Sequence, residues 1–367
     1  MKILVMTSHT PSLIWFRLDM ILSFIKEGYT VVAVGNEPVE KWQKEFDGYG
    51  IKYRQAYIER NGTDPLKDLK TLRQLKKIIK NERPDKIFTY QAKTVIYGGI
   101  AAHKYRVDTY SLIAGLGSIF LKTSIKSKIV RTILIKEYRI SLKHSKTVFF
   151  QNDDDISTFL NNKIVRKEQV VKLNGSGVNL EKFYVSSFPE KFAFLFIGRL
   201  IKDKGICEYL EACKLLKNKH KEVRCLLVGP YDTNPSSLSE NELSPYITDG
   251  TMEYFGEQKD VQPYISQCNV FVLPSYREGT PKTVLEAMAC GRAIITTNAP
   301  GCRETIKENR NGILVNPYDT NGLFEAMEYL YLNNEIAIQM GIESRKIAEE
   351  IFDVKKVNNE ILKRMKG

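Results

Sequence analysis

Short apolar runs recur along the first half of the chain, separated by stretches whose apolar residues repeat every three or four positions. That rhythm predicts strands at Lys2 to Thr7, Thr30 to Gly35, Lys52 to Ile58, Lys86 to Tyr90, Thr109 to Ile113 and Thr147 to Gln151, with helices between them. Strand and helix in alternation argue for βαβ units and a mostly parallel α/β sheet, in which ligands gather at the carboxyl ends of the strands. Ser8, His9, Gln91 and the loop Ala114 to Ser118 fall on that edge, with Gly115, Gly117 and Ser118 as its candidate contacts. The two-glycine loop reads as well as an ordinary turn, and His9 as well as a polar loop residue. No GxGxxG follows the first strand, so a dinucleotide fingerprint is absent.

The glycine-rich turn after Val170 and the polar stretch Tyr184 to Lys191 interrupt the pattern and mark a domain junction. A second series then follows: strands at Phe192 to Ile197, Arg224 to Val228, Met252 to Phe255, Val270 to Leu273, Ala293 to Thr297 and Gly312 to Val315, with helices at Ile206 to Lys217, Val261 to Ser266 and Lys282 to Ala289. Helices at Asn321 to Asn333, Glu335 to Ile351 and Val354 to Lys366 complete it. The expected domains are 1–183, 184–350 and a terminal helix over 351–367.

Two helices stand out by charge. From Phe120 to Lys146 the chain carries eight Lys or Arg and one acid, Glu137; on a helical wheel Ile129, Val130, Ile133 and Ile140 fall on one side and Lys128, Arg131, Arg139 and Lys146 on the other. Such a segment reads either as a membrane-surface helix or as a core-packed helix with a solvated basic face. A second basic helix, Leu66 to Asn81, spaces Leu66, Leu69, Leu72, Leu75 and Ile79 as a core-packed stripe first and a membrane-facing one second.

The chain has 367 residues, 43% apolar and 27% charged, which suits two globular domains. Its formal charge of +12 points to nucleic acid, an anionic surface or phosphate-rich substrates. Aromatics do not interleave with the basic runs, and no helix-turn-helix or zinc finger pattern occurs, which disfavours nucleic acid. Six cysteines without metal-type spacing read as free thiols, and no metal site is expected. No apolar run reaches the ~18 residues that a membrane-spanning helix needs, and the apolar start is too short for a signal peptide.

Candidate chemistry concentrates in Pro274-Ser-Tyr-Arg-Glu-Gly-Thr-Pro-Lys-Thr-Val-Leu-Glu286, where Pro274 to Pro281 reads as a tight loop after a strand and Lys282 opens a helix. Unpartnered N–H groups at a helix start favour an anion such as a diphosphate, and Gly279 and Pro281 suit the close approach. Glu286, one turn into the helix, can accept from a ribose diol, and Glu278 from sugar hydroxyls. Gly198-Arg199 and Lys204-Gly205 follow the first strand of the second domain, where Arg and Lys can hold phosphate oxygens.

These residues carry a resemblance. Glu278 and Glu286 form an E-x7-E pair, and with Gly279, Thr280, Pro281, Lys282, Thr283, Val284 and the following Ala-Met-Ala-Cys-Gly the stretch resembles the donor-site signature of family 4 retaining glycosyltransferases. Arg199 and Lys204 match the family's diphosphate-binding pair; Ser8-His9, Gly115-Leu-Gly-Ser118 and Gly301-Cys-Arg-Glu304 resemble its short bacterial members that build lipid-linked and capsular glycans. The resemblance implies the GT-B architecture, two Rossmann-like domains facing a central cleft with a last helix crossing back to the first. It implies transfer, with retention and without a metal or other cofactor, of an N-acetylhexosamine from a UDP-sugar to a polyprenyl-diphosphate-linked glycan at the inner face of the cell membrane. Arg199, Lys204 and Glu278 would be catalytic; Gly198, Ser275, Tyr276, Gly279 to Val284 and Glu286 would bind the donor; Ser8, His9, Gly115, Gly117 and Ser118 would bind the acceptor; Lys128, Arg131 and Arg139 would meet the anionic membrane surface. Many members place a His in the first-domain loop that here reads Ile113-Ala-Gly-Leu-Gly, so no histidine is assigned to catalysis. A UDP-sugar 2-epimerase shares the architecture but needs an acid- and histidine-rich first-domain site; a silent UDP-sugar-binding subunit is the other alternative.

Overall fold

The computed structural model describes residues 1–59, 62, 64–116, 120, 124–232, 234 and 236–366. They fall into two compact units, Met1–Ser176 with Val357–Gly367, and Gly177–Lys356. The first unit runs β1 (Lys2–Met6), α1 (Pro11–Lys26), β2 (Thr30–Gly35), α2 (Val39–Asp47), β3 (Lys52–Gln55), α3 (Pro65–Glu82), β4 (Lys86–Tyr90), α4 (Ala92–Lys104), β5 (Asp108–Ile113), α5 (Ile125–Leu142), β6 (Thr147–Phe150), α6 (Asp153–Asn161) and β7 (Val170–Lys172). Its parallel sheet has the order β3-β2-β1-β4-β5-β6-β7. The order reverses between β1 and β4, whose carboxyl ends therefore flank a crevice of the kind that binds ligands in open α/β sheets.

The second unit repeats the plan with β8 (Ala193–Ile197), α7 (Ile206–Lys219), β9 (Arg224–Val228), α8 (Glu240–Thr248), β10 (Glu253–Tyr254), α9 (Gln262–Ile265), β11 (Val270–Leu273), α10 (Lys282–Ala289), β12 (Ala293–Thr297), β13 (Gly312–Val315), α11 (Thr320–Leu332) and α12 (Asn334–Ile351). The parallel order β10-β9-β8-β11-β12-β13 reverses between β8 and β11. Helices on both faces leave β8, β11 and β12 buried at every residue, which is why these strands read as unbroken apolar runs.

The last helix, α13 (Val354–Lys366), begins in the second unit and ends in the first, where Val357, Ile361, Leu362 and Met365 join the core formed by Ile3, Phe24, Phe88 and Phe149. The junction lies at Ser176, earlier than the expected 183. Residues 177–183 belong with the second unit because Val178 donates to the Phe352 carbonyl at 2.7 Å, accepts from the Val354 N–H at 3.0 Å, and shares a core with Phe183. The sequence reading also missed α8, although Ser239 and Glu242 form the reciprocal capping box that announces a helix start.

Buried charge in the first unit is compensated at Glu82, the last residue of α3. Glu82 is 6% exposed and is met by Arg54 at 2.8 Å, Lys52 at 3.0 Å and Lys2 at 3.4 Å. Burial alone would raise its pKa, yet Lys52 and Arg54 hold the carboxyl below the usual glutamate range. A depressed acid contributes stability that is present above the unfolded value and lost as pH falls through the folded one. Glu82→Gln is therefore expected to destabilise the first unit by about 1–2 kcal/mol at neutral pH, the partners being partly exposed, and to flatten the acid limb of stability below pH ~4. Denaturant titrations of both proteins at several pH values read both effects.

Candidate functional site

In the second unit the β8–α7 and β11–α10 loops meet at the switch point. Gly205, at φ 72°, closes the first of them in the left-handed region, and a Cβ there would run into the Pro274 carbonyl oxygen. This close approach brings the ammonium of Lys204 into an ion pair with the Glu278 carboxylate. Ser275 donates from Oγ to Glu278 Oε1 at 2.9 Å, and the Tyr276 N–H donates to the Asp203 carbonyl at 3.0 Å. Glu278 is fixed from the other side too: its N–H donates to the Pro300 carbonyl at 2.9 Å, and a side chain at Gly301 would strike its carbonyl oxygen. Both charged groups are mostly buried, so the pair works in a lower dielectric than bulk water.

Arg199 follows β8 and pairs with Asp232 at 2.7 Å, a partner the sequence reading did not name. Arg199 and Lys204, expected on phosphate, thus each face a carboxylate here. Gly198 hydrogen-bonds Val228 across the head of β9. Tyr276 lies against Tyr318 with the rings tilted at 37° and their centroids 3.9 Å apart, and its hydroxyl donates to Glu208 at 2.6 Å; burial, then Glu208, push that hydroxyl's pKa up. Tyr318, Glu208 and Asp232 lie far from the motif in sequence, and only the meeting of loops reveals them.

Helix α10 starts after Pro281, with no side chain capping it. Thr280 and Pro281 are buried at its head, and Lys282 and Thr283 are partly exposed on its first turn. Val284 turns its side chain fully into the core, so it offers the donor at most its backbone, and Ser275 is wholly buried as support for Glu278. Glu286 is 7% exposed, with Lys282 one turn earlier at 3.8 Å. Burial raises its pKa, against the opposing charges of Lys282 and Lys182.

At the switch point of the first unit, Gln91 joins the ends of β1 and β4. Its Oε1 accepts from Thr7 Oγ1 at 2.9 Å, the Ser8 N–H at 3.0 Å and Ser8 Oγ at 2.7 Å. Its backbone lies at φ 72°, ψ 143°, a region that glycine tolerates and other residues enter under strain. Ser8 is buried in this network, whereas His9 is half-buried and packs edge-on to Trp15 at 5.8 Å. Gly115 takes φ 111°; Gly117 and Ser118 lie outside the described residues.

The basic helix α5 packs through Ser127, Tyr138, Ser141 and Leu142, leaving Ile125, Ile129, Ile133 and Ile140 exposed, Ile129 at 56% and Ile133 at 52%. The isoleucines the wheel put on one side are thus not core. Lys128 is exposed among them, whereas Arg139 donates to the Asn162 carbonyl at 2.7 Å and the Lys163 carbonyl at 3.2 Å, which gives it a structural task. Arg131 is partly buried, with the Phe120 ring 6.0 Å away. On α3, Leu75 and Ile79 are core, but Leu66 is 78% exposed and Leu69 is also exposed, so the expected stripe holds only in its second half. Among the described residues no helix is long and apolar enough to cross a membrane.

Both units match models of known families: residues 2–152 the glycosyl transferase 4-like domain, and residues 191–333 the glycosyl transferases group 1 domain. The N,N'-diacetylbacillosaminyl-diphospho-undecaprenol alpha-1,3-N-acetylgalactosaminyltransferase of Campylobacter jejuni is 28% identical over 349 residues, 91% of this chain and 90% of that protein. The UDP-Gal:alpha-D-GlcNAc-diphosphoundecaprenol alpha-1,3-galactosyltransferase of Escherichia coli is 26% identical over 71% of this chain and 70% of its own length. Among solved structures, sucrose-phosphate synthase from Thermosynechococcus elongatus superposes with a TM-score of 0.83 at 18% identity, covering 100% of this chain and 98% of that one. Anabaena HepE in complex with UDP does so with 0.79 at 15% identity, covering 100% of both chains, so the fold is that of the two-domain GT-B enzymes. With one domain model on each unit and relatives aligned along most of its length, the chain belongs to the group 1, 4-like glycosyltransferases.

Proposed function

We propose that this enzyme moves an N-acetylhexosamine, with retention of anomeric configuration, from a UDP-sugar to a polyprenyl-diphosphate-linked glycan at a membrane surface. The observation that carries this reading is the Lys204–Glu278 pair at the β8/β11 switch point, fixed by Ser275 and the close approach of Gly205. A relative that acts on an undecaprenyl-diphosphate sugar, aligned over 91% of this chain, supports the acceptor class, and HepE with UDP bound supports the nucleotide.

In the mechanism, Lys204 and Arg199 exchange part of their carboxylate contact for the donor's diphosphate and stabilise the charge that builds on the departing UDP. The first-turn N–H groups of α10 add their dipole on the same anion. Glu278 then orients the sugar hydroxyls, with Ser275 keeping its rotamer. Glu286 accepts from the ribose diol: a buried carboxylate with one long ion pair has hydrogen-bonding capacity to spare. These fixed cations take the part a divalent ion plays elsewhere, so EDTA is expected to leave the rate unchanged. On α5 the exposed isoleucines among lysines would enter the headgroup region and hold the first unit near its lipid-borne acceptor.

Glu278→Ala should lower kcat by about 10²–10³ with the fold retained, the melting temperature falling by only a few degrees from the uncompensated Lys204. UDP release from a panel of UDP-sugars, with and without a short lipid-diphosphate sugar, checks this and names the donor; release without acceptor, with a 2-epimerised sugar, would refute transfer. Because Glu286 has a raised folded-state pKa, ionising it costs stability as pH rises, while donor binding through the carboxylate improves over the same window. The donor KM is therefore expected to climb as pH falls, starting above the ~4.3 of an ordinary glutamate, and Glu286→Gln to remove both slopes. Lys128→Gln with Lys136→Gln should weaken cosedimentation with anionic vesicles by about tenfold or more, each lysine contributing roughly 1 kcal/mol at such a surface. Equal sedimentation of both proteins would remove the membrane role of α5.

A further inference from the structure

Within the first unit, Arg17 is a buried cation that packing leaves incompletely satisfied. It sits mid-way along the buried stripe of α1, between Leu13 and Ile21, and is 4% exposed. Nη1 donates to Ser176 Oγ at 2.9 Å and the guanidinium lies 5.1 Å from the centre of the Tyr90 ring. Nε is buried with no acceptor, and Arg17 makes no ion pair among the described residues. Burial lowers its pKa to about 10, against a small opposing effect of Tyr90. A buried cation is normally retained with a carboxylate or several carbonyls around it.

Arg292 in the second unit shows what a structural arginine looks like here. It too is fully buried and also leaves one nitrogen, Nη1, without an acceptor, but it donates to the Ile265 carbonyl at 3.1 Å, the Ser187 carbonyl at 3.1 Å and Ser186 Oγ at 2.6 Å, so two backbone carbonyls and a hydroxyl share its charge. Arg17 has one neutral hydroxyl and one ring. Its surroundings lie on the edge where ligands are expected: Tyr90 ends β4, the strained Gln91 follows it, and Gln151 after β6 donates to the same Ser176 Oγ at 3.2 Å. Ser12 Oγ, at 2.9 Å from the Tyr90 hydroxyl, holds the ring in place. Charge, location and the missing acceptor all ask for an anion from outside the unit.

We propose that Arg17 forms an anion subsite of the first unit, taking a phosphate oxygen of the acceptor's diphosphate. The subsite rests on the acceptor class proposed above, and it makes Arg17 an acceptor-binding residue distinct from the donor machinery of the second unit. A guanidinium–phosphate contact is charge-assisted and among the stronger hydrogen bonds a protein makes.

The test compares wild type, Arg17→Met and Arg17→Lys on a prenyl-diphosphate sugar and on a neutral glycoside carrying the same sugar. Arg17→Met is expected to raise the acceptor KM by roughly 10- to 100-fold on the diphosphate acceptor, with the donor KM unchanged, and to have no effect on the neutral one. Arg17→Lys should recover part of the loss. An equal effect on both acceptors, or none on either, would make Arg17 a strut and overturn the subsite. Should Arg17→Met fail to fold, the wild type alone decides: with UDP saturating the donor site, inorganic pyrophosphate should raise the melting temperature further and compete with the diphosphate acceptor, and the absence of both effects would refute it. Absence of a thermal shift with UDP itself would instead count against the glycosyltransferase reading of the second unit.

Discussion

A parallel sheet buried by helices on both faces has nowhere to keep polar chemistry except at the ends of its strands. Both units obey that constraint. Where strand order reverses, at β1/β4 and at β8/β11, two loops leave in opposite directions and a crevice opens between them. Gln91 and Ser8 occupy the first crevice and Lys204 and Glu278 the second. The chemistry proposed for the donor and acceptor depends on which residues the chain delivers to those two places.

Delivery alone would leave costly groups unpaired, and the second unit deals with this by pre-pairing. Lys204 with Glu278 and Arg199 with Asp232 are cation and acid combinations that satisfy one another in the unliganded protein. The pairing fixes where both cations stand, and in the proposed mechanism they would give up part of that contact to a diphosphate. Glu82 on α3 shows the same chemistry put to a structural use, a single acid holding β1 and β3 to a helix end. Burial and pairing alone do not separate the two uses; position at a switch point does.

Helix α5 illustrates the limits of periodicity. Its isoleucines sit at helical spacing and would serve a core as well as a membrane, so the wheel offers two answers. The decision comes from α4 and α3: the Tyr97 hydroxyl lies within hydrogen-bond distance of Glu137, at 3.0 Å, and of Asp68, at 2.9 Å, while Tyr138, Ser141 and Leu142 fill the contact with the unit. That anchors the one acidic face inward and turns the isoleucines out. Arg139, one of the cations counted for the membrane, is drawn the other way, to the carbonyls that end α6.

Read alone, the sequence established the two series of βαβ units, most strand limits and the donor loop, with β11 and α10 matching residue for residue. These are local properties: apolar runs, turn residues and helix starts act over a few positions and leave a direct trace. It also contained the signal for Arg17, a charge in the apolar stripe between Leu13 and Ile21, but that signal is mute without knowing what faces it. Only the tertiary structure decided that Asp232 partners Arg199, that Val284 turns into the core, that the first unit ends at Ser176, and that no carboxylate pairs with Arg17 among the described residues. Each depends on groups far apart in the chain meeting at one strand end, a matter of sheet order and helix packing that no window of sequence encodes.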